Sequence, residues 1–224
     1  MKSILLGFVS YLIIGSANLY AQQIRLGEDQ LQAVGVSMKL DRVKGRKAVR
    51  VVKDTLIKEV DEPTFVKIRD IDFSSGTIEV KVLSRLLKHA PDHARGFIGV
   101  AFHINDSNSR FESIYLRPTN GRADDQVRRN HAIQYFAYPD FKFQRLRKEA
   151  PEQYESYADM ELDEWITMRI VVKGGQAKIF LKKNRQPSLV VNDLKLGSNA
   201  DGAIGLWVDV GTEGYFSNLK VRNK

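Results

Sequence analysis

Apolar and polar positions alternate with a period of two at 47–53, 65–69, 77–83, 97–104, 111–117, 131–136, 166–172, 177–181, 204–210 and 215–221. Successive side chains of a strand point to opposite faces, so this alternation predicts half-buried β-strands. Gly, Asn, Asp and Ser punctuate the runs at 74–76, 105–109, 118–121, 173–175, 199–202 and 211–214, and these residue types supply the backbone conformations of turns. Only 141–157 has a helical composition, and Pro151 interrupts it. Many short strands with almost no helix predict an all-β fold: a two-sheet antiparallel jelly-roll sandwich with one short helical loop segment.

The same period sorts side chains between the two faces of a sheet. Ile98, Val100, Phe102 and Ile104 form a core set, with Gly99, Ala101 and His103 opposite. Ile204, Leu206, Val208 and Val210 do the same and leave Gly205, Trp207 and Asp209 outward. Inward Ile114 and Leu116 place Ser113, Tyr115 and Arg117 outward, and His131 and Tyr135 are assigned outward as well. One sheet face would then carry Trp207, Tyr115, Tyr135, His103, His131 and Arg117. Sugars need such a mixture, because their apolar ring faces stack on aromatics while their hydroxyls need planar donors and acceptors. The competing expectation is that loops cover these rings, since aromatics also fill ordinary cores. Trp165, after Asp163-Glu164, reads as a structural anchor at a sheet corner.

The first residues do not belong to this pattern. Met1-Lys2-Ser3 gives a basic start, Ile4 to Ile14 is almost unbroken in its apolarity, and Ala17 to Ala21 ends on a small residue. This reads as a secretory signal peptide over 1–21, leaving a single domain over 22–224 in the periplasm or outside the cell. The apolar run is well short of the roughly 20 residues of a membrane helix, and no later stretch spans a membrane. The chain has no cysteine, which excludes disulfides, thiolate zinc sites and a cysteine nucleophile. Its 224 residues, 43% hydrophobic, suffice for the core of one sandwich. The formal charge of +8 favours anionic partners. Arg110, Arg117, Arg122, Arg128, Arg129, Lys142, Arg145, Arg147 and Lys148 concentrate it in the middle of the chain. These side chains either tie a loop through Asp124, Asp125, Glu149 and Glu155 or form a site for acidic groups. Nucleic acid is disfavoured, since no recognition helix or RNA-binding motif is present.

Specific strings carry a family resemblance. Asp163-Glu164-Trp165-Ile166-Thr167-Met168-Arg169-Ile170-Val171-Val172, followed by Lys178-Ile179-Phe180-Leu181, resembles a hairpin of concanavalin A-like lectin and glucanase domains. Ala203-Ile204-Gly205-Leu206-Trp207 and Phe216-Ser217-Asn218-Leu219-Lys220-Val221 are similar to the closing strands of that group, and Phe73-Ser74-Ser75-Gly76-Thr77-Ile78-Glu79-Val80 to an early one. The resemblance runs from Lys47 to Val221 and extends to bacterial exported domains related to the 3-keto-disaccharide hydrolases. It implies a sandwich that holds or acts on an oligosaccharide or polysaccharide; its motifs are structural and do not settle the chemistry.

The residues themselves narrow the chemistry. A retaining glucanase of this fold needs two carboxylates about 5 Å apart, and Glu79 stands alone on its strand. Arg117, His131, Gln134 and Tyr135 have the types of a polysaccharide lyase, in which Arg neutralises a uronate while His and Tyr move the proton. A regular strand would put Gln134 and His131 on opposite faces, so this match is loose. The leading expectation is a glycan site in which Arg117 and Arg145 are bidentate donors, with Asn120, Arg122, Asn130 and His131 completing the hydroxyl contacts around His103, Tyr115, Tyr135 and Trp207. His131, Tyr135 and Glu79 are the candidates for catalysis should there be turnover. No cofactor is expected. Calcium could draw oxygens from 105–108 or from Asp124 and Asp125, but neither run has the spacing of a calcium loop, and ordinary turns are the expectation.

Overall fold

A computed structural model describes residues 22–224. The signal peptide expected over 1–21 lies outside the described residues. In chain order the strands are β1 (Gln22–Gln23), β2 (Leu31–Val34), β3 (Val36–Val43), β4 (Arg46–Lys53), β5 (Phe65–Ile68), β6 (Gly76–Leu86), β7 (Ile98–Ile104), β8 (Phe111–Leu116), β9 (Ile133–Tyr138), β10 (Glu155–Ser156), β11 (Ile166–Lys173), β12 (Gln176–Leu181), β13 (Leu189–Val191), β14 (Ala203–Val208) and β15 (Thr212–Asn223). Two short helices, α1 (Gln126–Asn130) and α2 (Phe143–Glu149), flank β9.

The strands form two antiparallel sheets. The larger runs β13-β12-β11-β6-β15-β4-β3, with β1 added to β15; the smaller runs β10-β9-β8-β7-β14-β5-β2. This is the all-β sandwich that the alternation predicts, and every alternating stretch falls on a strand. Between the sheets, Val49, Val51, Ile78, Val80, Val82, Ile170 and Phe216 share one buried cluster with Val66, Ile98, Val100, Phe102, Ile114, Leu116 and Leu206. Removing this apolar surface from water is what holds the two sheets together.

Cross-strand register decides what the outer face of the smaller sheet carries. Phe65 pairs with Trp207, Trp207 with Gly99, Gly99 with Tyr115, Tyr115 with Gln134, and Gln134 with Glu155. Directly paired residues point the same way, so these side chains form one row across the sheet. The row is roofed rather than open. The Trp207 indole N–H donates to Glu62 O at 2.9 Å, the Phe143 N–H donates to Asp61 Oδ2 at 2.8 Å, and Lys142 pairs with Glu62. The segment before β5 and the start of α2 are thereby tied to each other above the aromatic row. Trp207 is 0% exposed, so it anchors the roof and offers no open stacking surface.

Two other expected orientations differ. Tyr135 pairs with Ile114 and points between the sheets, because the outward phase of β9 belongs to Gln134 and Phe136. His103 turns inward at a φ of 54°, a left-handed residue that breaks the alternation at the end of β7. Its Nδ1 lies 2.7 Å from Glu112 Oε2 and its Nε2 2.9 Å from Ser74 O, and Tyr135 donates to Glu112 Oε1 at 2.6 Å. His103, Glu112 and Tyr135 are therefore an interior polar network.

Candidate functional site

The sheet row ends at a cavity of about 450 Å³ between the start of β7, the end of β8 and the end of β14. Its walls include Phe97, Tyr115 and Phe143, together with Asp61, Arg95, Arg117, Arg128, His131 and Asp209. A cavity that joins aromatic walls to a few fixed polar groups has the make-up of a small-molecule or sugar site. A larger recess of about 860 Å³ lies at the opposite end of β7 and β14, lined by Lys67, Asp70, Asp72, Arg110, Asp201 and the edge of His103. That recess has no Phe, Tyr or Trp on its walls, so it lacks a surface on which a ring could stack.

Arg117 organises the floor of the smaller cavity. Its guanidinium donates to Tyr115 Oη at 2.7 Å, Gln134 Oε1 at 3.2 Å, His131 O at 3.0 Å and Glu155 Oε1 at 3.3 Å. These bonds direct it inward, making it a hub that positions Tyr115 and leaving little of its fork for a ligand. The Tyr115 hydroxyl accepts from Arg117 and has no protein acceptor for its own hydrogen among the described residues. Burial raises its pKa well above 10.0, so it stays a donor at the cavity wall. Asn120 donates to His131 O at 3.1 Å and accepts from Arg128 Nε at 3.0 Å. His131 lies 3.4 Å from Glu155; burial lowers its pKa, with Glu155 opposing and Arg147 and Arg117 adding to the fall. The shift favours the neutral imidazole, which can accept as well as donate.

Asp61 and Asp209 close the opposite wall. Asp209 pairs with Lys53 at 2.5 Å, and its second oxygen accepts the Asp61 N–H at 3.0 Å. Burial pushes the Asp61 carboxyl up to about 7, with Asp209 adding to the rise and the Phe143 N–H, Arg117 and Lys142 opposing it. Phe143 stands between guanidiniums, with Arg117 5.4 Å and Arg147 5.1 Å from its ring centroid.

Of the residues expected to bind the glycan, the cavity brings together Tyr115, Arg117, Asn120 and His131, and Asp125, Arg128 and Arg147 of the charged middle of the chain line it too. The others lie elsewhere. Arg122 pairs with Asp159 and Glu161, Arg145 pairs with Glu149, Asn130 accepts from Gln126, and Glu79 pairs with Lys220 on the larger sheet. Trp207, Tyr135 and His103 are structural, as described. The lyase set does not form with Tyr135, whose hydroxyl is used between the sheets; Tyr115 takes the place beside Arg117 and Gln134. Asp61, Arg95, Phe97 and Phe143 were missed, because each sits outside the alternating runs or at their margins and no local pattern marks it. Among the described residues no group of three or more His, Cys, Asp or Glu is placed to hold a metal ion, and no helix is long and apolar enough to cross a membrane.

No protein-family model and no curated protein matches the sequence. Solved structures do match in fold. The carbohydrate-binding module CBM66 from Bacillus subtilis aligns with a TM-score of 0.57 at 13% identity, covering 86% of this chain and 95% of the module. A protein of unknown function with a galectin-like fold, also from Bacillus subtilis, aligns with a TM-score of 0.55 at 11% identity, covering 92% of this chain and 95% of its own. At such identities the likeness establishes the fold alone: the chain has a galectin-like, two-sheet jelly-roll sandwich.

Proposed function

We propose that this protein is an exported glycan-binding domain that takes a sugar in the cavity between Phe97, Tyr115 and Phe143. One observation carries the reading. The aromatic walls converge with donors and acceptors, at Tyr115, Asp61, Asp209 and His131, that are already held by other protein groups. Preorganised polar groups bind hydroxyls without first losing side-chain freedom. The carbohydrate-binding module of the same fold supports the reading by analogy, and the leader-like segment over 1–21 supports delivery to the periplasm or the cell exterior. Binding would proceed through side chains alone, with no cofactor.

Turnover at the same cavity is a second reading, favoured by the Asp61 carboxyl, whose pKa near 7 suits a general acid. Asp61 would hand its proton to the glycosidic oxygen as its bond to the anomeric carbon breaks, and a water would add to that carbon and return a proton to the Asp61 carboxylate. The resemblance to 3-keto-disaccharide hydrolases implies chemistry of this kind. A glycan array followed by product analysis on the tightest ligand tests both readings. Retention of an unchanged glycan is the expected result, a new reducing end establishes turnover, and failure to bind any neutral or acidic glycan overturns both.

A further inference from the structure

Charge pairing around the cavity leaves two guanidiniums without a carboxylate. Arg117 and Arg147 share the single carboxylate of Glu155, and Lys53 neutralises Asp209. Arg128 donates to Asn120 Oδ1 at 3.0 Å and Thr119 Oγ1 at 3.2 Å, both neutral acceptors. Arg95 donates to the carbonyls of Asp92 and Ala94. Neither Arg95 nor Arg128 makes an ion pair with a carboxylate among the described residues. The two arginines adjoin through Thr119, whose N–H donates to Arg95 O at 3.3 Å. Both line the cavity, and the carboxylate of Asp125 also lies on its wall. Burial depresses the Arg95 pKa, with the Arg128 and Arg117 charges adding to the fall and Asp92 opposing it. Two half-buried guanidiniums on the wall of one cavity, each bonded to neutral acceptors, are an unfavourable arrangement unless an anion relieves it.

We propose that Arg95 and Arg128 bind the anionic substituent of an acidic glycan, a ring carboxylate or a sulfate ester, while the half-buried Phe97 and Phe143 hold the sugar ring above the buried Tyr115 floor. This rests on the glycan reading and names the class of glycan. Guanidinium forks match planar carboxylates and sulfate oxygens in geometry as well as charge. The carboxylate of Asp125 sets a limit on the excess positive charge, and one anionic group per bound ring suits it better than a densely charged polymer.

The test titrates the protein with oligogalacturonate and with its fully methyl-esterified form, which keeps ring and linkage but removes the charge, and in parallel with a sparsely sulfated dextran of at most about one sulfate ester per ring and with dextran. The charged member of at least one pair should bind about tenfold or more tightly than its neutral partner, with an affinity that falls as salt rises. Arg95→Gln and Arg128→Gln should each erase that preference with the melting temperature unchanged, and Arg95→Lys should restore part of it. A preference for uronate over sulfate, or the reverse, identifies the anion. Equal binding of charged and neutral members, or a preference that survives both substitutions, overturns the proposal while leaving glycan binding intact. Binding of none of these probes, with a neutral glycan retained on the array, overturns it too; binding of no glycan at all removes the underlying reading.

Discussion

Asp61 sits at a left-handed turn with a φ of 55° and is 1% exposed, enclosed where the roof meets the sheet. Desolvation disfavours its charged form, and the carboxyl rises from 3.8 to about 7. A carboxyl raised in the folded state leaves stability intact below its unfolded pKa and removes it as pH climbs through the folded value. Such a rise corresponds to a penalty on the order of 4 kcal/mol, complete above about pH 7. Asp61→Asn keeps an acceptor for the Phe143 N–H and removes the titration. Denaturant unfolding should show the variant gaining on the wild type between about pH 4 and pH 7 and levelling off above; parallel stability profiles would contradict the assignment. At this scale the sequence was informative about side-chain direction and left cover open, loops over the rings being the competing expectation that Trp207 and Tyr115 bear out. Alternation correctly put Trp207 and Tyr115 on one face, but the roof over them is a tertiary contact through Glu62 O and Phe143 N. Tyr135 was misplaced because each phase of His131 to Phe136 mixes a polar residue with apolar ones, and His103 because a left-handed residue reverses direction without a glycine to announce it.

The elements explain why the site lies where it does. Gly99 on β7 faces Tyr115 and Trp207, and a Cβ there would lie 2.3 Å from Ile114 O and 2.5 Å from Tyr115 Cβ. Its absence lets the Tyr115 and Trp207 rings approach to 4.8 Å between centroids, which sets the depth of the cavity floor. Gly99→Ala must push β8 away from β7, and the backbone cannot yield as a flexible side chain would. A loss of about 1–3 kcal/mol in unfolding free energy is expected, with weakened glycan binding; a variant as stable as the wild type would show that β8 is free to shift. The internal strands were legible because one of their faces is buried in the core, giving a clean period of two. The edge strand β3 was not, since its side chains are largely exposed or half-buried and no burial imposes the pattern. β1, β2, β10 and β13 are too short to show a period, and α1 hides in a segment read as loop. The basic middle of the chain divides in the same way: Arg122, Arg145 and Arg147 are tied to Asp159, Glu149 and Glu155, while Arg128 turns to the cavity.

For the molecule as a whole, two sheets share one apolar core and leave function to the outer side of the smaller sheet. Two loop segments narrow that side to an aromatic cavity, and Arg95, Arg117, Arg128 and Arg147 stand on its wall. The sandwich was legible in the sequence because burial writes a repeating pattern; the cavity was only half legible, because Asp61, Arg95, Phe97 and Phe143 meet across turns far apart in the chain. The central claim is that the glycan occupies this cavity and not the larger recess at the opposite end of β7 and β14. Phe143 tests it directly, because truncating its ring keeps the N–H that ties α2 to Asp61. Calorimetric titration of the best array ligand against Phe143→Ala and, in parallel, Lys67→Ala should show affinity falling about tenfold or more only in the first, with both variants melting as the wild type does. Affinity unchanged in Phe143→Ala and lost in Lys67→Ala would move the site to the other end of the sandwich and contradict the account.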